Sequence, residues 1–263
     1  MADPLIVERD GRVVTLINND PPYNPINLDF MDALEEQVDA LDLDTSVGAV
    51  VLRSAGDKHF SVGMNLKETD EGIARKGSTE GVLDQALRII TKIENMDKPW
   101  IATLYGYCLG GGLEFPLGCH FRLAAEEGAK IGLPEFDIGS LPALGGTARL
   151  TRCVGRANAL DMILRTKMIS GPEAYRIGLV QYVYPNDELQ QRAQELAKEL
   201  AMRPPKAMAS VLRCIVGAED ASVSEVIQIE RREVRRGLEG EELQEGMRAF
   251  AEKRAPNFFP DDS

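Results

Sequence analysis

Hydrophobic and polar positions follow two rhythms along this chain. Over the first 145 residues, short apolar runs alternate with segments of helical period. Leu5-Ile6-Val7 and Val13-Val14-Thr15-Leu16-Ile17 flank Asp10-Gly11 and predict a β-hairpin. Asp20-Pro21-Pro22-Tyr23-Asn24-Pro25 reads as a rigid loop. Leu28, Met31, Leu34, Val38 and Leu41 then recur at the spacing of one helix face. Gly48-Ala49-Val50-Val51-Leu52 is almost continuously apolar, as in a strand buried on both faces. Asn65, with Glu68 three residues on, predicts a short capped helix. Val82 to Met96 reads as a further helix and Pro99 to Leu104 as a further strand. Gly110-Gly111-Gly112 closes that apolar stretch and opens a helix. This alternation predicts α/β layers joined by crossovers.

After residue 145 strand signals nearly vanish, apart from Leu179 to Val183. Helical patterns fill 146–165, 172–177, 187–202, 205–217, 222–236 and 241–254. A soft boundary falls near residue 200, at Arg203-Pro204-Pro205, dividing a core of residues 1–200 from a helical region of residues 201–263. There is no internal repeat or low-complexity tract.

Composition narrows the function. Of 263 residues, 44% are hydrophobic, enough for one large domain or a domain with an appendage. The net charge of −12 disfavours nucleic acid and anionic membrane surfaces as partners. An anionic ligand would need a local basic patch, for which Arg53, Lys58, Lys67, Lys253 and Arg254 are candidates. No apolar run reaches the roughly 18–20 residues of a membrane span. No secretory or transit segment is read before the first strand. Cys108, Cys119, Cys153 and Cys214 make no C-x-x-C pair and predict reduced, mostly buried thiols in a cytoplasmic protein. His59 and His120 lie in separate segments, which weakens any case for a zinc site or a Ser-His-Asp triad. Gly145-Gly146-Thr147 lacks the lysine of a phosphate loop and reads as a turn entering a helix.

The strongest chemical signal is Gly110-Gly111-Gly112-Leu113-Glu114, followed by Ile131-Gly132-Leu133-Pro134-Glu135. Glycine permits tight turns whose N–H groups point at an acceptor oxygen, and a helix start favours negative charge there. Glu114 and Glu135 both sit among apolar residues. An oxyanion site beside two such carboxylates suits acid/base chemistry next to a carbonyl. A lone glutamate would more simply be a solvated surface group.

Tyr105-Gly106-Tyr107-Cys108-Leu109-Gly110-Gly111-Gly112-Leu113-Glu114 resembles the N-G-Y-A-x-G-G-G-x-E segment of enoyl-CoA hydratases, in the crotonase superfamily. Further matches follow in family order. Phe60 to Glu68 resembles F-x-x-G-A-D-x-K-E, and Leu141 to Leu150 resembles x-P-G-x-G-G-T-x-R-L. Val47 to Arg53, Ile169 to Val180 and Glu245 to Arg254 also fit. The resemblance implies an α/β crotonase-like fold: a spiral ββα core with a C-terminal helical region that helps to form trimers, often stacked into hexamers. It implies that the N–H groups of Met64 and Gly111 bind a thioester oxygen. Glu114 then holds and deprotonates a water, while Glu135 serves the α-carbon. Contacts to the acyl-CoA fall to Ser61, Val62, Lys67, Gly110, Gly112, Phe250 and Lys253. The implied reaction is hydration of an α,β-unsaturated acyl-CoA, without metal or redox cofactor, coenzyme A entering as part of the substrate.

Other crotonase-type reactions, namely isomerisation, C–C cleavage and thioester hydrolysis, are the rivals, with a non-catalytic acyl-CoA-binding protein behind them. Ala143 stands where dienoyl isomerases and hydrolases often carry an acid, and both glutamates are kept, so hydration fits best. Met64-Asn65 replaces Ala-Asp, Tyr105 replaces Asn, the Asn19 to Pro25 loop differs from N-R-P, and His120 replaces Asp.

Overall fold

Asp10-Gly11 turns the chain between β1 (Leu5–Asp10) and β2 (Val13–Asn18), which pair antiparallel. The computed structural model describes residues 3–259, except Glu219 and Glu239. In α1 (Leu28–Leu43) the five apolar positions of the sequence pattern are all buried, and the Asn27 side chain caps the helix by accepting from Phe30 N–H at 2.7 Å. β3 (Ala49–Ser54) runs parallel to β2. A 3₁₀ turn at Leu66–Glu68, α2 (Thr69–Lys76) and α3 (Thr79–Glu94) lead to β4 (Trp100–Leu104), parallel to β3. Asn65 does cap the 3₁₀ turn, accepting from Lys67 N–H. Glu68 caps something else: its Oε2 accepts from Leu28 N–H at 2.8 Å, at the start of α1, while Oε1 accepts from the Asn65 side chain.

Three short strands escaped the sequence pattern. β5 (Tyr107–Leu109) intervenes between β4 and the glycines, so these do not close the β4 run directly. It is followed by α4 (Gly111–Leu117), β6 (Phe121–Ala125) and β7 (Lys130–Gly132). Then come a 3₁₀ turn at Glu135–Ile138, α5 (Gly146–Leu164, broken at Gly155), α6 (Gly171–Arg176) and β8 (Tyr182–Tyr184). The strand expected over 179–183 thus starts three residues later. Four helices finish the chain: α7 (Leu189–Ala201), α8 (Pro205–Ile215), α9 (Val223–Gly237) and α10 (Glu241–Glu252).

The main sheet has the order β1-β2-β3-β4-β6-β8, parallel from β2 onward. Every residue of β2 and β4 is buried, and β3, read from its apolar run as buried on both faces, is buried at all but Arg53. α7 lies across β2, β3, β4 and β6, turning Ala193, Ala197 and Ala201 inward so that the helix can approach closely. β6 escapes detection because Arg122 interrupts its apolar run. Its buried guanidinium is satisfied by the Leu179, Pro116 and Cys119 carbonyls. His120 has a structural place as well: Nδ1 accepts from Trp100 N–H at 3.0 Å, and burial pushes its pKa down to about 4. Tyr105 donates its hydroxyl to Ser54 O at 2.7 Å, tying β4 to the end of β3. All four cysteines are free thiols, but only Cys108 and Cys119 are buried, fewer than expected.

The C-terminal helices bury little of themselves. α8 buries only Ala209, α9 only Glu233 and α10 only Ala249. Val223, Val234, Leu238, Met247 and Phe250 are exposed. Polar clasps attach the region: Arg213 binds Asp97 at 2.9 Å and Glu233 at 2.8 Å, and Arg236 binds Glu233 at 2.7 Å. Among the described residues, no helix is long and apolar enough to cross a membrane.

Candidate active site

Two parallel strands explain how Glu114 and Glu135 meet. β5 pairs with β7, with Leu109 beside Gly132. The two strands therefore end together, and Gly110 N–H donates to Gly132 O at 3.0 Å. The chain after β5 turns into α4 and delivers Glu114. The chain after β7 turns at Pro134 and delivers Glu135. Gly110 has φ of 56°, and a Cβ there would stand 2.8 Å from Glu135 Oε1. Only glycine fits both the backbone and the carboxylate beside it.

The loop carrying Ser61 to Met64 runs alongside. Ser61 N–H donates to Tyr107 O, Leu109 N–H donates to Ser61 O, and Val62 N–H donates to Tyr23 O at 3.1 Å. A Cβ on Gly63 would lie 3.4 Å from Gly111 N, and one on Gly111 would lie 3.3 Å from Met64 Cγ. A Cβ on Gly112 would collide with Ser61. Ser61, Val62, Met64, Gly110, Gly111 and Gly112 are thus gathered in one place. Gly63 N–H is taken by Ser61 Oγ and Asn65 N–H by Ile26 O, whereas Met64 N–H has no such partner among the described residues. Gly111 is the first residue of α4, where helical N–H groups have no intrahelical acceptor. With only seven residues, α4 contributes little macrodipole, so any anion here rests on the N–H groups themselves. Lys67 stands exposed on the 3₁₀ turn beyond Met64.

Glu114 is 2% exposed. Its Oε1 accepts from Leu144 N–H at 2.8 Å and from Gly146 N–H at 2.9 Å. Burial pushes its pKa up to about 7. The two N–H donors oppose that rise and the charge of Glu135 adds to it. Burial also raises Glu135, whose Oε2 is enclosed and has no hydrogen-bond partner among the described residues. Both carboxyls are therefore held nearer to protonation than ordinary glutamates.

The sequence alone does not mark residues 144–146 as part of the site. They do enter a helix, α5, as the sequence suggests, but their N–H groups also grip Glu114. The available signal was the glycine pair: a Cβ on Gly146 would lie 2.7 Å from Glu114 Oε1. Ala143 lies exposed just before them, next to buried Leu144.

Phe250 and Lys253 stand apart. Phe250 is 83% exposed, and Lys253 ends α10 in a left-handed conformation with φ of 55°. The segment after α10 returns to the β1–β2 turn, where Phe259 lies under the Arg12 guanidinium at 3.9 Å. That turn is at the opposite end of the parallel strands from the loops that carry Met64 and Gly111. Of the other basic candidates, Arg53 is met by Glu8 at 3.6 Å, and Arg254 is bound by Glu245 and Glu252. Among the described residues, no group of three or more His, Cys, Asp or Glu is placed to hold a metal.

Fold and site together bring the backbone of two glycine-bearing loops beside a pair of carboxyls. The sequence model of the enoyl-CoA hydratase/isomerase family matches residues 8–260, and the chain belongs to that family. A Bacillus subtilis protein named as a probable enoyl-CoA hydratase is 34% identical over 252 residues, covering 95% of this chain and 96% of its own length. A crotonyl-CoA hydratase from Syntrophomonas wolfei is 33% identical over 262 residues, covering 97% of each. The crystal structure of an enoyl-CoA hydratase from Geobacillus kaustophilus matches with a TM-score of 0.92 at 30% identity, over 98% of this chain and 97% of that one. The α/β layers with C-terminal helices are accordingly a crotonase-like fold.

Proposed function

We propose that this chain adds water across the 2,3-double bond of an α,β-unsaturated acyl-CoA thioester, giving a 3-hydroxyacyl-CoA. The observation that carries this reading is the placement of buried Glu114 and half-buried Glu135, both raised toward protonation, beside the loops that carry the Met64 and Gly111 N–H groups. As hydroxide adds to the β-carbon, negative charge moves to the thioester oxygen. The two N–H groups receive it, and losing one such donor typically costs about 2.7–4 kcal/mol of barrier. Glu114 keeps Oε1 fixed by two N–H donors and uses Oε2 to take the proton of the attacking water. Glu135, whose pKa burial raises, gives a proton to the α-carbon. The two carboxyls interact, so their titration belongs to the pair. Product release leaves Glu114 protonated and Glu135 ionised, and exchange with solvent resets both.

No metal or redox cofactor takes part in this scheme, and coenzyme A comes with the substrate. Ser61, Val62, Gly110 and Gly112 shape its near end, and Lys67 meets its phosphates. We place the protein in the cytoplasm as a homotrimer or a dimer of trimers, assembled through residues 201–263 upon a core of residues 1–200. In that assembly α10 of one copy brings Phe250 and Lys253 to the site of the next. The apolar surface left open on α9 and α10 supports such burial.

The test is incubation with crotonyl-CoA. Loss of the conjugated absorbance with a product heavier by one water is expected. A product of unchanged mass would mean isomerisation, free coenzyme A would mean hydrolysis, and no reaction would mean a binding protein. Each of these overturns the proposal.

A further inference from the structure

The N–H groups that hold Glu114 belong to a loop that has its own support. Arg149, on the first turns of α5, donates through Nη1 to Leu144 O at 3.1 Å. Leu144 N–H and Gly146 N–H are the two donors to Glu114, so the gripped carbonyl lies between them in the chain. The same guanidinium forks onto Glu94 at the end of α3, Nε to Oε1 at 3.0 Å and Nη2 to Oε2 at 2.7 Å. Nη2 also reaches Thr91 Oγ1 at 3.3 Å. Both charges are largely shielded, the side chains being 10% and 19% exposed. The glycine pair is fitted to this arrangement from both sides. A Cβ on Gly145 would strike Arg149 Nη1, and one on Gly146 would crowd Glu114 Oε1.

We infer that the Arg149–Glu94 pair is a positioning device for the reaction: it locks residues 144–146 so that their N–H groups aim at Glu114. The inference rests on Glu114 being the proton acceptor, but its geometry can be read without activity. A bidentate arginine–carboxylate fork fixes orientation as well as charge, which a lysine cannot reproduce. Small misplacement of a proton-transfer group is costly to turnover. The positive charge of Arg149 also acts on Glu114 in the lowering direction, against the effect of burial. Loosening the fork weakens the N–H contacts to the ionised carboxylate and favours its protonated form.

Arg149→Lys keeps the charge but loses the fork, and Glu94→Gln keeps one acceptor should the first variant fold poorly. Turnover on crotonyl-CoA should fall about 10- to 100-fold with KM changed less than about threefold. The acid limb of kcat/KM should move to higher pH in both variants. The Glu114 carboxyl should be titrated directly by infrared difference spectroscopy, its band assigned by its loss in Glu114→Gln. In both variants that band should titrate at higher pH than in the parent. A merely structural role would lower thermal stability and leave the limb and the band in place, which would overturn the inference. If Glu114→Gln retains full activity, the catalytic reading fails. The band titration then still decides whether Arg149 and Glu94 position the group.

Discussion

The site region and the C-terminal helices use apolar surface in opposite ways. All seven residues of α4 are buried, and Glu114 is enclosed among them with its Oε1 doubly satisfied. Each of α8, α9 and α10 buries a single residue and leaves an apolar stripe uncovered. The first region gathers both carboxyls and the glycine loops within one chain. It offsets part of the cost of burying the Glu114 carboxyl with two N–H donors to its Oε1. The second is incomplete, held to the body by Arg213, Glu233 and Asp97 rather than by a core. The proposed chemistry thus lies where the chain is densely packed, and the proposed association where its apolar surface remains open.

Removing the proton-transfer groups tests the first half of this contrast and should give the largest effect. Glu114→Gln and Glu135→Gln should each fold and lose 10²–10⁴-fold in turnover, about 3–5 kcal/mol. Near-parental rates in either variant, measured on crotonyl-CoA, would break the assignment. The second half is tested by charging the open stripe. Val234→Asp with Leu238→Asp should convert a trimer to monomer in light scattering while the helical circular dichroism persists. An unchanged mass would place the interface elsewhere.

The same Glu114→Gln variant sharpens the contrast through stability. A carboxyl raised on folding from 4.5 to about 7 leaves stability intact below its unfolded value. The loss grows as pH rises between these two values and is complete above the folded one. The amide keeps the Oε1 acceptor and never ionises. The variant should therefore match the parent near pH 4 and exceed it by up to about 3 kcal/mol at pH 8 in denaturant unfolding. Equal stability at pH 8 would mean that Glu114 ionises freely. The smallest expected effect is Lys253→Ala, with acyl-CoA affinity weakened about fivefold, roughly 1 kcal/mol, and less so at high salt. Unchanged affinity across several salt concentrations would remove Lys253 from the ligand.

Much of this was legible in the sequence where one element dominates its neighbourhood. α1 could be read from five apolar residues at helical spacing, and β3 from an unbroken apolar run. The carboxyl pair could be read from two glycine- or proline-led apolar segments and their family resemblance. β5 and β7 were not legible, because three-residue strands carry no periodicity. They are nevertheless what brings Gly110 next to Glu135. β6 was hidden by Arg122, whose burial depends on two nearby carbonyls, Pro116 and Cys119, and on that of Leu179, 57 residues away. Glu68 matched a local capping pattern but caps α1 across forty residues of chain, since tertiary proximity offered it a better donor. The Arg149–Glu94 fork escaped for the same reason: its partners lie 55 residues apart, on two helices that only the fold brings together.

The most direct test is a structure of the protein with an unreactive acyl-CoA bound. The account places the thioester oxygen about 3 Å from both Met64 N and Gly111 N, with Glu114 and Glu135 beside the reacting carbons. A thioester oxygen bound away from those two N–H groups, or carbons out of reach of both carboxyls, would contradict it.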